Sequence, residues 1–120
     1  MSVSPPKLMW EASLGKEMSV DGATLRFVAL GKPDKTDDTV LGWYVLLSRP
    51  TGEAKILMKT FNYEPRLLKT FLGLRSLLRD HVPHWTSVTL PLVPQIRVPN
   101  DIWKVLDKMD SATNQDEVST

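Results

Sequence analysis

The sequence predicts an α+β fold: a mostly antiparallel sheet of about four to six strands, open or an OB-like barrel, packed by one long helix and closed by a short C-terminal helix. Three observations lead there. Apolar residues recur at helical spacing from Tyr63 to Val82, strand-like alternation fills the chain before that segment, and a shorter helical pattern covers Ile102 to Met109.

The long helix organises the rest of the chain. Leu67, Phe71, Leu74, Leu78 and Val82 fall three or four apart on one face, and Leu68, Leu72 and Leu77 widen the stripe. A band that wide suits a helix lying on a sheet better than a coiled-coil seam. Pro65 falls in the first turn, where its missing N–H costs nothing, and Asn62 is the candidate cap. Pro83 ends the helix by disfavouring helical geometry at Val82. Gly73 reads as a surface glycine in mid-helix, at a cost of about 1 kcal/mol relative to Ala. Such a helix is not stable alone, so the preceding strands are its expected docking surface.

Those strands follow in order. Glu17 to Val20 reads as a short strand turning at Asp21-Gly22, and Ala23 to Leu30 alternates as a second. Val40 to Arg49 is the strongest strand, with Leu41, Trp43, Val45 and Leu47 on one side and Tyr44 and Leu46 on the other. It turns at Pro50 to Glu53 and returns through Ala54 to Tyr63, an antiparallel hairpin. On the return strand Lys55, Leu57, Lys59, Phe61 and Tyr63 share a face that interleaves cations with apolar groups. Trp85 to Val98 is rich in β-branched residues but interrupted by Pro91 and Pro94, which limits it to an edge strand or two short strands. Three strands, a helix and two more strands is also the element order of an OB-fold barrel, which order alone does not separate from an open sheet.

A chain of 120 residues that is 42% hydrophobic supports one domain, expected over 1–110, with 111–120 as a disordered acidic tail. There is no cysteine, which excludes disulfides and thiolate metal sites. The N-terminus lacks the basic and apolar regions of a secretory leader, and no apolar run has bilayer-spanning length. The expectation is a cytoplasmic protein with no membrane association. The net charge is only +1, but it is unevenly spread. Arg49 to Pro99 carries eight basic and three acidic residues, whereas Asn100 to Thr120 carries two basic and five acidic.

Catalytic patterns are absent. The loop Gly31 to Thr39 has glycine, lysine and threonine but not the spacing of a phosphate-binding loop. Asp80, His81 and His84 have no nucleophile tied to them, and the two histidines lack a third metal ligand in register. The carboxylate pairs Asp37-Asp38 and Asp116-Glu117 lie in polar segments, away from any apolar pocket that would raise a pKa. The expected protein is not an enzyme and uses no cofactor or metal.

The basic middle gives the leading expectation. Single-stranded nucleic acid is held by cations on phosphates and aromatic rings on bases. A sheet face with Arg26, Tyr44, Lys55, Lys59, Phe61 and Tyr63, extended by Arg49, Arg75 and Arg79, supplies both. The partner expected is single-stranded nucleic acid, DNA in preference to RNA, with homodimerisation compatible. The acidic tail is read as a tethered phosphate mimic competing for that surface, or as a recruiter of another protein. The alternative is a protein-interaction module, an inhibitor, adaptor or assembly factor, binding through Trp10, Trp85, Trp103 or the edge carrying Pro91, Pro94 and Pro99.

Overall fold

The computed structural model describes residues 7–60, 63–85 and 87–109. Strand β3, Val40–Ser48, lies in the middle of the sheet. Its consecutive apolar residues Trp43 to Leu47 are all buried, and their alternation sends them into two separate cores, one on each face.

Each neighbouring strand is placed by β3. β2, Thr24–Gly31, pairs antiparallel along one edge, from Thr24 opposite Ser48 to Gly31 opposite Val40. The other edge is shared. β4, Ala54–Met58, pairs with residues 46–48, and β5, Leu67–Leu68, pairs with Trp43 and Tyr44. β1, Leu8–Trp10, adds to the far side of β4 in parallel. The strand order β1-β4-β3-β2, with β5 beside β3, is an open sheet. The expected α+β class and the open alternative are therefore observed and the OB-like barrel is not; the five-stranded sheet is mixed, because β1 joins β4 in parallel while the pairings of β3 with β2, β4 and β5 are antiparallel.

The long helix is corrected too. α2 covers only Phe71–His81. Upstream, Pro65 bridges Met58, the Arg66 N–H donates to the Leu57 carbonyl at 2.9 Å, and the Lys59 N–H donates to the Glu64 carbonyl at 2.8 Å. Tyr63 adopts a left-handed φ of 50°, outside helical geometry. Leu67 and Leu68 then enter opposite cores, as successive strand residues do. The cap is Thr70, whose side chain accepts from the Gly73 N–H at 3.0 Å, so Gly73 lies in the first turn rather than mid-helix. The Asn62 cap expected from sequence lies outside the described residues, as does the acidic tail.

Two further elements differ from expectation. Glu17 to Val20 forms no strand, because Leu14–Met18 is a short helix, α1, that buries Leu14 and Met18 four residues apart. Among the described residues of 85–98 only Ile96 bridges to the sheet, beside Leu30, and the N–H groups of Gln95 and Ile96 both donate to the Ala29 carbonyl. The prolines at 91 and 94 leave too few donors for a longer ladder. The final helix, α3, covers residues 102–109 as expected and buries Ile102 and Leu106.

The molecule is thus layered. α1 and α2 cover Phe27, Trp43, Val45, Leu47 and Leu57, and α3 with Ile96 covers Val28, Leu30, Tyr44, Leu46 and Ile56. The α2 stripe is only partly used: Leu74, Leu77, Leu78 and Val82 are buried, but Phe71 is 57% and Leu72 72% exposed. No helix among the described residues is long and apolar enough to cross a membrane.

Close approach of β5 to β3 depends on Gly42. A Cβ there would stand 2.7 Å from the Leu68 carbonyl oxygen and 2.8 Å from Leu67 Cγ. Gly42→Ala should therefore lower stability by about 1–3 kcal/mol. Urea unfolding of the two chains checks this, and equal midpoints would show that β5 is not packed as described.

Candidate functional site

The cations that sequence places in one basic region divide into two groups by their partners. Arg49 donates to Glu17 at 2.7 Å and to Glu53 at 3.0 Å, and Lys55 reaches Glu17 at 3.0 Å. These side chains are mostly buried, and Arg49 Nε has no hydrogen-bond partner. Lys59 lies 3.5 Å from Glu64, and Arg66 lies 2.6 Å from Glu11. Arg97 organises the 32–38 loop instead of facing outward: its Nη1 donates to the carbonyls of Lys32, Asp34 and Asp37. In that loop the Thr36 N–H and hydroxyl hold the Asp34 carboxyl below its usual range, and the Thr39 side chain and N–H do the same for Asp37.

Lys69, Arg75 and Arg79 are the remainder of the middle's eight cations. All three are exposed, and none has an ion-pair partner among the described residues. They share one place, the start and outer side of α2.

The expected sheet-face site is not assembled. Tyr44 is buried in the core beneath α3, where burial, and then the charge of Glu64, raises its phenol pKa. Lys55 sits opposite Leu47, on the other face of the sheet from Tyr44. Arg26 is exposed on β2, and Phe61 lies outside the described residues. Tyr63 is exposed and meets Trp10 edge-on, ring centres 5.9 Å apart. Only Arg75 and Arg79 remain together at a surface that can receive something. The physical reason is the second covering layer: α3 occupies the face that the nucleic-acid expectation left open.

That surface is a groove of ≈ 450 Å³. α2 forms one wall with Phe71, Leu74, Arg75, Leu78 and Arg79, and Pro83, Trp85, Ser87, Val88 and Leu90 form the other. The second wall is fastened by the Trp43 indole N–H, which donates to the Pro91 carbonyl at 2.8 Å. Phe71 lies against the same indole, ring centres 5.0 Å apart, so one side of its ring is packed and the other open. Leu92 and Val93, just beyond the second wall, are also well exposed. Among the described residues the lining holds no carboxylate or imidazole. Its polar side-chain groups are two guanidiniums, the Ser87 hydroxyl and the Trp85 indole N–H, a set of donors that suits anions set among apolar groups.

Comparison with family models, curated proteins and solved structures returns no match.

Other places are less open. Residues 95–96 cap β2 at Ala29 and Gly31, so the proline-rich segment is not a free edge there. Trp85 and Trp103 are partly buried against the two cores. A second cleft beside Trp10, Thr60 and Tyr63 includes Glu11 and His81, but Glu11 is already held by Arg66, with His81 Nε2 3.8 Å away. Sequence reasoning named Phe71 as core and missed it as groove wall. The available signal was two arginines four residues apart on the helix whose stripe it heads.

Two outcomes follow from the buried groups. Glu17→Gln leaves Arg49 and Lys55 facing each other without their shared carboxylate, and should cost about 1–3 kcal/mol in chemical unfolding, with a double-mutant cycle to Lys55→Met showing coupling. For Tyr44 the folded pKa lies above the unfolded value of 10.0, so its contribution is intact below pH 10 and declines as pH rises past it. Tyr44→Phe should show a shallower loss of stability above pH 10 than the parent chain. Identical pH slopes would contradict the burial of the phenol.

Proposed function

We propose that the protein is a non-catalytic interaction module that receives an acidic, apolar segment of a partner protein in the groove beside α2. The observation that carries this reading is the distribution of charge: among the described residues, Lys69, Arg75 and Arg79 are the cations of the middle that have no ion-pair partner, and two of them rim an apolar groove. Arg75 and Arg79 stand four residues apart on one helix, a like-charge spacing that costs about 0.2–0.5 kcal/mol when nothing neutralises it. An acidic side chain laid across both relieves that repulsion. Apolar side chains beside it fill the space between Leu74, Leu78 and Trp85 and cover the open side of Phe71.

The size of the groove sets the length of the segment. Phe71 to Arg79 spans about 12 Å at 1.5 Å per residue, which matches roughly four extended residues or two helical turns of a partner. Apolar anchors with a charged rim are the usual composition of such grooves.

Single-stranded nucleic acid remains the second reading, favoured by the same guanidiniums and by the exposed Phe71 ring, and it moves from the sheet face to α2. The walls favour protein, since carbon outweighs polar surface in the groove and only three cations stand at α2 without an ion-pair partner among the described residues.

Fluorescence anisotropy separates the two. The probes are a labelled ten-residue peptide alternating Asp or Glu with Leu or Phe, and a labelled oligothymidylate, each at about 50 and about 200 mM salt. The peptide should bind and keep most of its affinity at the higher salt. Arg75→Glu with Arg79→Glu should weaken it at least about 10-fold. Tighter binding of the oligothymidylate, falling about 10-fold between the two salts, would install the nucleic-acid reading instead. Binding of neither probe would end both.

A further inference from the structure

Resting on the groove reading above, we propose that the groove selects a phosphate monoester: the docked segment of the partner protein carries a phosphorylated serine or threonine against Arg75 and Arg79, with apolar neighbours against Leu74, Leu78 and Trp85. Docking is then conditional on modification of the partner.

Charge is the first ground. Arg75 and Arg79 bring two positive charges to one wall, and among the described residues the lining holds no carboxylate to set against them. One Asp or Glu of a partner offsets a single charge, as does one phosphodiester. A phosphorylated side chain carries about −1.5 to −2 near pH 7 and offsets both from one point. The like-charge spacing on α2 is therefore relieved most completely by a group of that charge.

The donors are the second ground. Both rim cations are arginine, and Lys69, the lysine of the trio, lies outside the groove lining. A guanidinium presents a planar fork that pairs with two phosphate oxygens, which an ammonium does not. Positions four apart on a helix have Cβ atoms about 5–6 Å apart, so two forks can close on one tetrahedral anion. Neither side chain has an ion pair or hydrogen bond among the described residues, so none is broken to do this. From the facing wall the Ser87 hydroxyl and the Trp85 indole N–H add two donors. A phosphate brings three strong acceptor oxygens to this set, and a carboxylate brings two.

The carbon surface decides what carries the phosphate. Leu74, Leu78, Val88 and Leu90 line the space below the arginines. Inorganic phosphate leaves that surface in water, whereas the residues flanking a phosphoserine cover it.

Fluorescence anisotropy of the complete chain tests this with three labelled ten-residue peptides, identical except at one central position flanked by Leu and Phe. That position is serine, glutamate or phosphoserine. The phosphoserine peptide should bind about 10-fold or more tightly than the glutamate peptide, the factor one further charge-assisted hydrogen bond supplies, and the serine peptide should be weakest. Arg79→Lys keeps the charge and removes the fork. It should erase most of the phosphoserine advantage while leaving the glutamate peptide within about 2-fold, with thermal unfolding unchanged. Equal affinity of the parent chain for the phosphoserine and glutamate peptides would overturn phosphate selection and leave the groove reading standing. Displacement of the phosphopeptide by inorganic phosphate at concentrations near the peptide's own dissociation constant would overturn the protein segment as carrier. Failure of all three peptides, and of the acidic apolar peptide above, would overturn both.

Discussion

Burial of β3 on both sides is the constraint on which the other layers depend. Trp43, Val45 and Leu47 point to one core and Tyr44 and Leu46 to the other, so a single helix on a single face would leave large side chains in water. Two covers are required. α1 and α2 provide the first, and α3, held against the sheet by Ile102 and Leu106, provides the second. Once both are in place the sheet has no face left to bind with, and any recognition surface must be built on the outside of a covering helix or along an edge. The Trp43 indole couples this constraint to the groove, since it packs against Phe71 and also fixes Pro91.

Charge follows the same economy. Glu17 lies on α1, far in sequence from Arg49 and Lys55, and the three meet because α1 packs over the β3–β4 turn. Partly buried cations without a carboxylate would be costly, so their placement there reads as structure. Arg79 has a second structural reason for its position, because a cation in the last turn of a helix is favoured by about 0.3–1 kcal/mol through the macrodipole. Arg75 has no such reason. It sits mid-helix, one turn from a like charge, at the rim of an apolar groove, and that combination separates the α2 pair from the cations spent on folding.

The legible parts were those whose signal is local. Alternation located β3 and the core side of Trp43, turn chemistry located the hairpin, and the spacing of Ile102, Val105, Leu106 and Met109 located α3. The stretch from Tyr63 to Thr70 misled because Leu67 and Leu68 satisfy a helical stripe and a two-residue strand equally well. Pairing of Pro65 with Met58, a tertiary event, decided between them. The second core was in fact written into the sequence: five apolar residues in a row, Trp43 to Leu47, are the mark of a strand covered on both faces. Weighing that run above the interleaved Lys55 and Lys59 would have buried Tyr44 in advance. The Glu17 cluster had no local signal, since Glu17 is more than thirty residues from both Arg49 and Lys55.

The energetics of the groove favour brief, tethered or repeated encounters over a permanent complex. Phe71 and Val88, the exposed large apolar residues of its lining, leave on the order of 200 Å² of apolar side chain in water, and covering all of it contributes about 5 kcal/mol. Association of two free molecules costs about 4–15 kcal/mol in lost translational and rotational freedom. The apolar term alone therefore barely offsets the cost of meeting, and the arginines add rim contacts that alter encounter rate and selectivity more than depth of binding.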